Sequence, residues 1–246
     1  MGTYQYLKNV ISEKGAGYLC LIDPDNHNTE QSVKIATTCE YCDVDALLVG
    51  GSIMFKNKFE HNLRKIKESV NIPVIIFPGI FHSIFPCADA LLMLSMMSSR
   101  NPDLLIGEQV KAAPLIKSYG LETIPTAYLL IESGSLTSVQ YMSHSFPIPR
   151  AKTAIAVAHS LAAQYLGMKL IYLEAGSGAK NSVPNKMIRE VKNNVDIPII
   201  VGGGIRTPKE AKKKVENGAD LIVTGTIIEH NNNEDLIKEF SRAIHR

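Results

Sequence analysis

Eight short apolar runs recur along the chain, and they limit its fold more than any other feature. They are GYLCLID (17–23), DALLVG (45–50), PVIIFP (73–78), ADALLML (88–94), TIPTAYLLI (123–131), KLIYLE (169–174), PIIVGG (198–203) and ADLIVTG (219–225). Each is close to continuously apolar and does not alternate. A strand reads this way when both of its faces are covered, as in a parallel sheet flanked by helices. Helical patterns fill most of the gaps: 29–42 behind Asn28 as a cap, 57–69, 103–118 ending at Tyr119-Gly120, and 151–166 ending at Gly167. Three more cover 184–194 opening on Pro184, 207–217 from Thr207-Pro208, and 234–244. Eight strands alternating with helices over 246 residues predict one (β/α)8 barrel domain, residues 1–246. An open doubly wound sheet is not supported, because no GxGxxG follows the first strand.

One connection departs from this rhythm. PGIFHSIFPCA (78–88) has room for about two turns of helix between its prolines. Whole crossovers need at least ~10–12 residues. Its Ile80, Phe81, Ile84 and Phe85 are apolar where an outer helix would show a wet face. Two readings follow: a missing third outer helix that leaves an apolar slot in the barrel wall, or a short cover packed on the core.

Composition excludes several function classes. With 26 Lys+Arg against 24 Asp+Glu, a net charge of +2 leaves no footprint for nucleic acid. The basic run Lys212-Lys213-Lys214 reads as a solvated helix face. Cys39 and Cys42 form a CxxC with no partner pair at zinc spacing, so these two, Cys20 and Cys87 read as ordinary buried or half-buried thiols. The N-terminus shows no apolar signal region, and Tyr6 stands where myristoylation needs Ser or Thr. No run approaches the ~20 residues of a membrane span. A cytoplasmic protein with no stable membrane insertion is the expectation.

Active sites of such barrels gather at the C-terminal ends of the strands. Strand seven runs into Gly202-Gly203-Gly204-Ile205-Arg206 and a helix start, and strand eight into Gly225-Thr226. Glycines let backbone N–H groups approach an oxyanion, and a helix N-terminus adds partial positive charge. These two loops are the usual phosphate site of the fold. Strand six ends in Tyr172-Leu173-Glu174, followed by Ala175-Gly176-Ser177-Gly178, which can close the same cradle from a third side. A carboxylate would not bind phosphate. Glu174, with Tyr172 two residues back on the same strand face, suits a hydroxyl further along the same small substrate. The alternative is a structural ion pair. Strand one ends in Asp23-Pro24-Asp25-Asn26 and strand two in Gly50-Gly51-Ser52. These hard oxygen donors suit Mg²⁺ completed by a diphosphate, or else form a turn with side-chain hydrogen bonds.

Taken together, LIDPD (21–25), VGGS (49–52), YLEAGSGA (172–179), VGGGIRTPKEA (201–211) and TGT (224–226) resemble the geranylgeranylglyceryl phosphate synthase family over nearly the whole chain. The resemblance implies a (β/α)8 prenyltransferase. Such an enzyme joins a long prenyl diphosphate, here geranylgeranyl diphosphate, to the 3-hydroxyl of sn-glycerol 1-phosphate and releases pyrophosphate with Mg²⁺. It places the metal on Asp23 and Ser52, the glycerol phosphate along residues 172–178, and its phosphate on Gly203, Gly204, Gly225 and Thr226. It favours the slot reading of 79–87, as housing for the prenyl tail, and a homo-oligomer. This chain departs from its relatives at Asn26, where they commonly carry Lys. Leu21, where heptaprenyl-type members have Lys, fits the geranylgeranyl branch. The competing functions are a phosphate-binding isomerase or lyase and a non-catalytic phosphometabolite sensor. The first would need lysines or paired acids at the strand rims, but Lys56 and Lys180 stand in loops. Residues 133–150 read as a loop over the site, with Ser143-His144-Ser145 as polar cover; His27, His61 and His159 read as ordinary.

Overall fold

A computed structural model describes residues 1–51, 59–79, 84–231 and 233–246, with the backbone alone for 229–231. In chain order the elements are α1 (Thr3–Lys14), β1 (Gly17–Ile22), α2 (Thr29–Tyr41), β2 (Ala46–Val49), α3 (Phe59–Ser69), β3 (Val74–Ile76) and β4 (Ala90–Ser95). Next come α4 (Glu108–Tyr119), β5 (Glu122–Leu130), α5 (Ser138–Ser143), α6 (Thr153–Tyr165), β6 (Leu170–Glu174) and α7 (Asn185–Lys192). The chain ends with β7 (Ile199–Gly202), α8 (Pro208–Glu216), β8 (Leu221–Thr224), α9 (Thr226–Asn231) and α10 (Glu234–Ile244). The strands close in sequence order into a parallel barrel, β8 returning to β1 from Gly17↔Leu221 to Cys20↔Thr224.

Strand alternation divides the core in two. Leu19, Leu48, Ile75, Leu92, Tyr128, Tyr172, Ile200 and Val223 fill the barrel interior. Tyr18, Cys20, Leu47, Val49, Leu173 and Val201 point outward and pack beneath the helices. Both faces of each strand are dry, which is why the runs read as continuously apolar. Local chemistry fixes the helix ends. The Asn28 side chain accepts the Gln31 N–H at 2.8 Å and the Gln31 side chain accepts the Asn28 N–H at 3.0 Å, a reciprocal cap. Thr207 accepts the Glu210 N–H at 3.2 Å, with Pro208 in the first turn.

The N-terminal mouth is sealed by α1, which the sequence reading did not anticipate. Leu7 joins the interior core, and the Glu122 carboxylate accepts the Thr3 and Tyr4 N–H groups at 2.5 and 2.9 Å. The carboxylate neutralises the orphan donors of that helix start. The accessible end of the barrel is therefore the C-terminal rim.

Three expectations are refined. The stretch predicted as helix 103–118 opens with a wide π-type turn, Asp103–Gly107, before α4. Lys214 is not solvated. It is buried and donates to the Val183 carbonyl at 2.6 Å and Asn185 Oδ1 at 2.8 Å, and burial lowers its pKa to about 8. Among the described residues between β3 and β4 none is helical, in line with an irregular third outer helix; residues 80–83 lie outside them, as do Ser52, Lys56 and the predicted helix start at 57–58. All four cysteines are free thiols, buried or half-buried. Among the described residues no helix is long and apolar enough to cross a membrane.

Candidate active site

The C-terminal rim opens into a cavity of about 960 Å³. Glu174 stands in its wall at the end of β6, only 6% exposed. Its Oε1 accepts the Gly176 N–H at 2.5 Å, and the Tyr172 hydroxyl donates to the same carboxylate. Burial dominates these two bonds and raises the carboxyl from 4.5 to about 7. An acid so placed is poised to exchange a proton near neutrality. Tyr172 itself is held well above its ordinary value, by burial first and by the neighbouring carboxylate second.

The loops after β6, β7 and β8 meet around this group. A Cβ on Gly203 would sit 2.3 Å from Glu174 Oε1 and 2.7 Å from the Gly176 nitrogen, and its φ is +79°. Only glycine fits there on both counts. Ser177 Oγ lies 3.1 Å from Thr226 Oγ1, which ties the first loop to the third. The N–H groups of Ser177, Gly178 and Gly204 reach no protein acceptor among the described residues. Together they form a polar concavity with free donors, suited to a phosphate. Arg206 lines the same cavity, but it donates to the Ala179 and Lys180 carbonyls at 2.5 and 3.1 Å and so braces the β6 loop.

Across the cavity Asp23 and Asp25 follow β1. The Asp25 N–H donates to Asp23 Oδ1 at 3.0 Å and the Asn26 N–H to the Asp23 carbonyl at 3.1 Å, so the turn with side-chain bonding is present. The Asp23 carboxylate faces the β2 loop: a Cβ on Gly51 would lie 2.4 Å from its Oδ2. Ser52, the residue expected to share a cation with Asp23, is next in the chain but outside the described residues.

A second cavity of about 260 Å³ adjoins the first. Its wall is largely apolar: Ile84 between β3 and β4, Leu92 and Leu94 of β4, Leu104 before α4 and Ala112 within it, and Met142 of α5. Gly51, Phe77, Tyr128 and Val139 line both cavities. The rings of Phe77, Tyr128 and Tyr172 pack together at this junction, with centroids 5.4–6.3 Å apart. The sequence reading passed over Phe77 and Tyr128, which sit inside apolar runs. Their signal is one of strand phase: Tyr128 stands opposite Tyr172 in the β5–β6 register.

Of the residues singled out from sequence, Tyr172, Glu174, Ser177, Gly178, Gly203, Gly204, Gly225, Thr226 and Asp23 all line the main cavity. Leu173 and Ala175 do not. Their side chains belong to the outer core, because strand alternation turns them away from the interior. Gly176 acts through its N–H on Glu174.

Comparison with known proteins bears on this geometry. A model of the PcrB family matches residues 8–244. Geranylgeranylglyceryl phosphate synthase of Pyrococcus horikoshii is 46% identical over 88% of this chain and 85% of its own. That of Methanosphaera stadtmanae is 43% identical over 100% of both chains. The crystal structure of (S)-3-O-geranylgeranylglyceryl phosphate synthase from Thermoplasma acidophilum, in complex with its substrate sn-glycerol-1-phosphate, superposes with a TM-score of 0.95 at 36% identity, covering 100% of this chain and 99% of that one. A thiamine phosphate pyrophosphorylase from Pyrococcus furiosus, at 12% identity and a TM-score of 0.63, shares the fold alone. This chain belongs to the PcrB family, among the geranylgeranylglyceryl phosphate synthases.

Proposed function

We propose that the chain joins a long prenyl diphosphate, geranylgeranyl diphosphate in the first instance, to the 3-hydroxyl of sn-glycerol 1-phosphate. The product is a prenylglyceryl phosphate ether and the by-product is pyrophosphate. The observation that carries this reading is the junction. A polar cavity with a poised carboxylate opens, past Phe77 and Tyr128, into an apolar slot. An isomerase or a phosphometabolite sensor has no use for that slot.

The phosphate of sn-glycerol 1-phosphate sits among the loops bearing Ser177, Gly178, Gly203, Gly204, Gly225 and Thr226. This leaves the 3-hydroxyl toward Glu174, with Tyr172 orienting the carboxylate. The prenyl tail lies in the slot and puts the allylic carbon C1 at the aromatic junction. Glu174 accepts the hydroxyl proton as that oxygen bonds to C1. The bond from C1 to the diphosphate oxygen breaks, and pyrophosphate leaves with its electron pair. Aromatic faces stabilise the positive charge spread over the allyl group. Fixing the small substrate at one end turns an encounter into a positioned attack.

Mg²⁺ fits the diphosphate end. Asp23 offers a carboxylate oxygen against Gly51, with Ser52 adjoining. Among the described residues no cluster of three His, Cys, Asp or Glu side chains gathers, so the donors here are one carboxylate and one hydroxyl. Such a set suits Mg²⁺, which takes one or two carboxylates plus substrate oxygens and water, and does not suit zinc. When bound, the ion neutralises charge on the departing pyrophosphate. Asp23→Asn should raise the Mg²⁺ concentration needed for half-maximal turnover.

We further infer that the chain works in the cytoplasm and self-associates through α6, whose outer side is apolar and exposed at Ile155 and Tyr165, with Leu166 just beyond. Sedimentation of Tyr165→Glu tests this: an unchanged oligomeric state removes α6 from the interface. Radiolabelled prenyl transfer tests the activity. No butanol-extractable product from sn-glycerol 1-phosphate and any prenyl diphosphate from farnesyl to heptaprenyl would sink the proposed reaction.

A further inference from the structure

The segment over the rim carries an unusual surface. Leu136, Tyr141, Met142 and Phe146 are 67%, 66%, 51% and 92% exposed. Four large apolar side chains thus face solvent within eleven residues, where scattered single ones are the norm. They do not fail to pack for want of anchoring. Ser145 between them is buried and lies 2.7 Å from Ser99, and Ile148 is buried, its N–H donating to the Leu130 carbonyl at 2.8 Å. The segment is pinned at its small and inner residues and presents its large ones outward.

Two further observations say what covers this surface. The first is continuity with the tail slot. Helix α5 lies over both cavities, with Ser138 and Val139 on the main one and Val139, Met142 and Ser143 on the slot. Met142 is at once a slot wall and a member of the exposed patch. The second is charge. None of the chain's 24 acidic residues falls between Ser133 and Leu173, while Arg150 and exposed Lys152 follow the patch directly. The acid before the run, Glu132, accepts the Arg150 N–H at 3.2 Å, and Glu108 beside the slot is paired with Lys111 at 2.7 Å. An apolar segment that bears no acid of its own, is followed by cations and has its neighbouring acids paired is complementary to an anionic lipid interface.

We propose that residues 136–146 dock the C-terminal rim reversibly on a lipid surface, so that a prenyl tail passes from bilayer to slot without crossing water. This rests on the prenyltransferase reading, whose substrate and product both carry the long tail. Exposing such a tail to water is unfavourable by about 0.8 kcal/mol per CH₂. Docking at the slot's lip removes that barrier. It requires no spanning helix, and among the described residues none exists.

The test is flotation of the full chain with vesicles of phosphatidylcholine plus phosphatidylglycerol, against phosphatidylcholine alone. The comparison variant carries Leu136→Ser and Phe146→Ser, both outside the cavities. The wild type should float with the anionic vesicles and less with the neutral ones. The variant's partition should fall roughly tenfold for each side chain removed. Its prenyl transfer in detergent micelles should stay at the wild-type rate, and its transfer from vesicle-embedded prenyl diphosphate should drop. A wild type active in detergent but absent from the floating fraction overturns the docking and leaves the reaction standing. So does equal flotation of the variant. A variant that turns a sedimenting dimer into a monomer gives the patch to a second copy and overturns it too. A wild type that floats but transfers nothing in detergent supports the docking and sinks the reaction.

Discussion

Replacing Glu174 by Gln should trade activity for stability, and the structure sets the scale. Burial raises the carboxyl from 4.5 to about 7, which corresponds to about 3 kcal/mol against its ionised form. The folded pKa lies above the unfolded one. The folded protein therefore gains proton-linked stability below about pH 4.5 and loses it as pH rises through about 7. Glutamine cannot ionise, and its amide oxygen can still accept the Gly176 N–H. Glu174→Gln should melt close to the wild type in acid and above it at pH 8, at roughly 2–4 °C per kcal/mol for a chain of this size. Turnover should fall by about 10²–10⁴, the range for loss of a general base. Wild-type kcat/KM should drop about tenfold per unit below pH 7, since it follows the ionised fraction of the free enzyme. The residual rate of the variant should lack that limb, which separates Glu174 from titration of the substrate phosphate. A variant with wild-type turnover, or an identical acid limb in both proteins, would refute the assignment of the base.

Other perturbations reach different parts of the barrel. Gly203→Ala forces a Cβ into Glu174 Oε1 at a positive φ, so melting temperature and kcat/KM should fall together; an active, stable variant would show that the β6–β7 contact is not needed. Tyr128→Phe should keep most of the transfer rate and Tyr128→Leu should lose about tenfold or more, as expected if a ring face meets the allyl charge; equal rates would remove the ring from the mechanism. At the opposite end of the barrel, burial alone would raise the Asp45 carboxyl, but bonds from His245, Lys14 and the Tyr18 N–H outweigh it and lower the value. Its stabilisation is present above the unfolded carboxyl value and is lost as pH falls through the lower folded one. Asp45→Asn should therefore destabilise by about 1.5–3 kcal/mol near neutrality, since Lys14 and His245 keep Asp43 as a partner, and by less in strong acid, read by denaturant unfolding.

The barrel was legible because parallel strands dry on both faces leave continuous apolar runs, and the glycine loops because close approach and positive φ admit little else. What escaped the sequence depends on distant partners. Helix α1 borrows its cap from Glu122, more than a hundred residues away, so no local start signal marks it. Lys214 belongs to a basic run, yet helical periodicity turns the third lysine inward to the Val183 carbonyl. Phe77 and Tyr128 are ordinary members of strand runs until the barrel closes and brings their rings against Tyr172. Leu173 and Ala175 show the converse. A motif read as one binding segment is split by strand alternation into inner and outer faces.

In the proposed reaction the 3-hydroxyl oxygen of sn-glycerol 1-phosphate, held between the glycine loops and Glu174, displaces pyrophosphate at C1 of the prenyl chain. Labelling that hydroxyl with ¹⁸O and weighing the products tests it directly. The label should appear wholly in the ether and not in pyrophosphate. Label in pyrophosphate, or an ether that forms without it, would rule out attack by that oxygen.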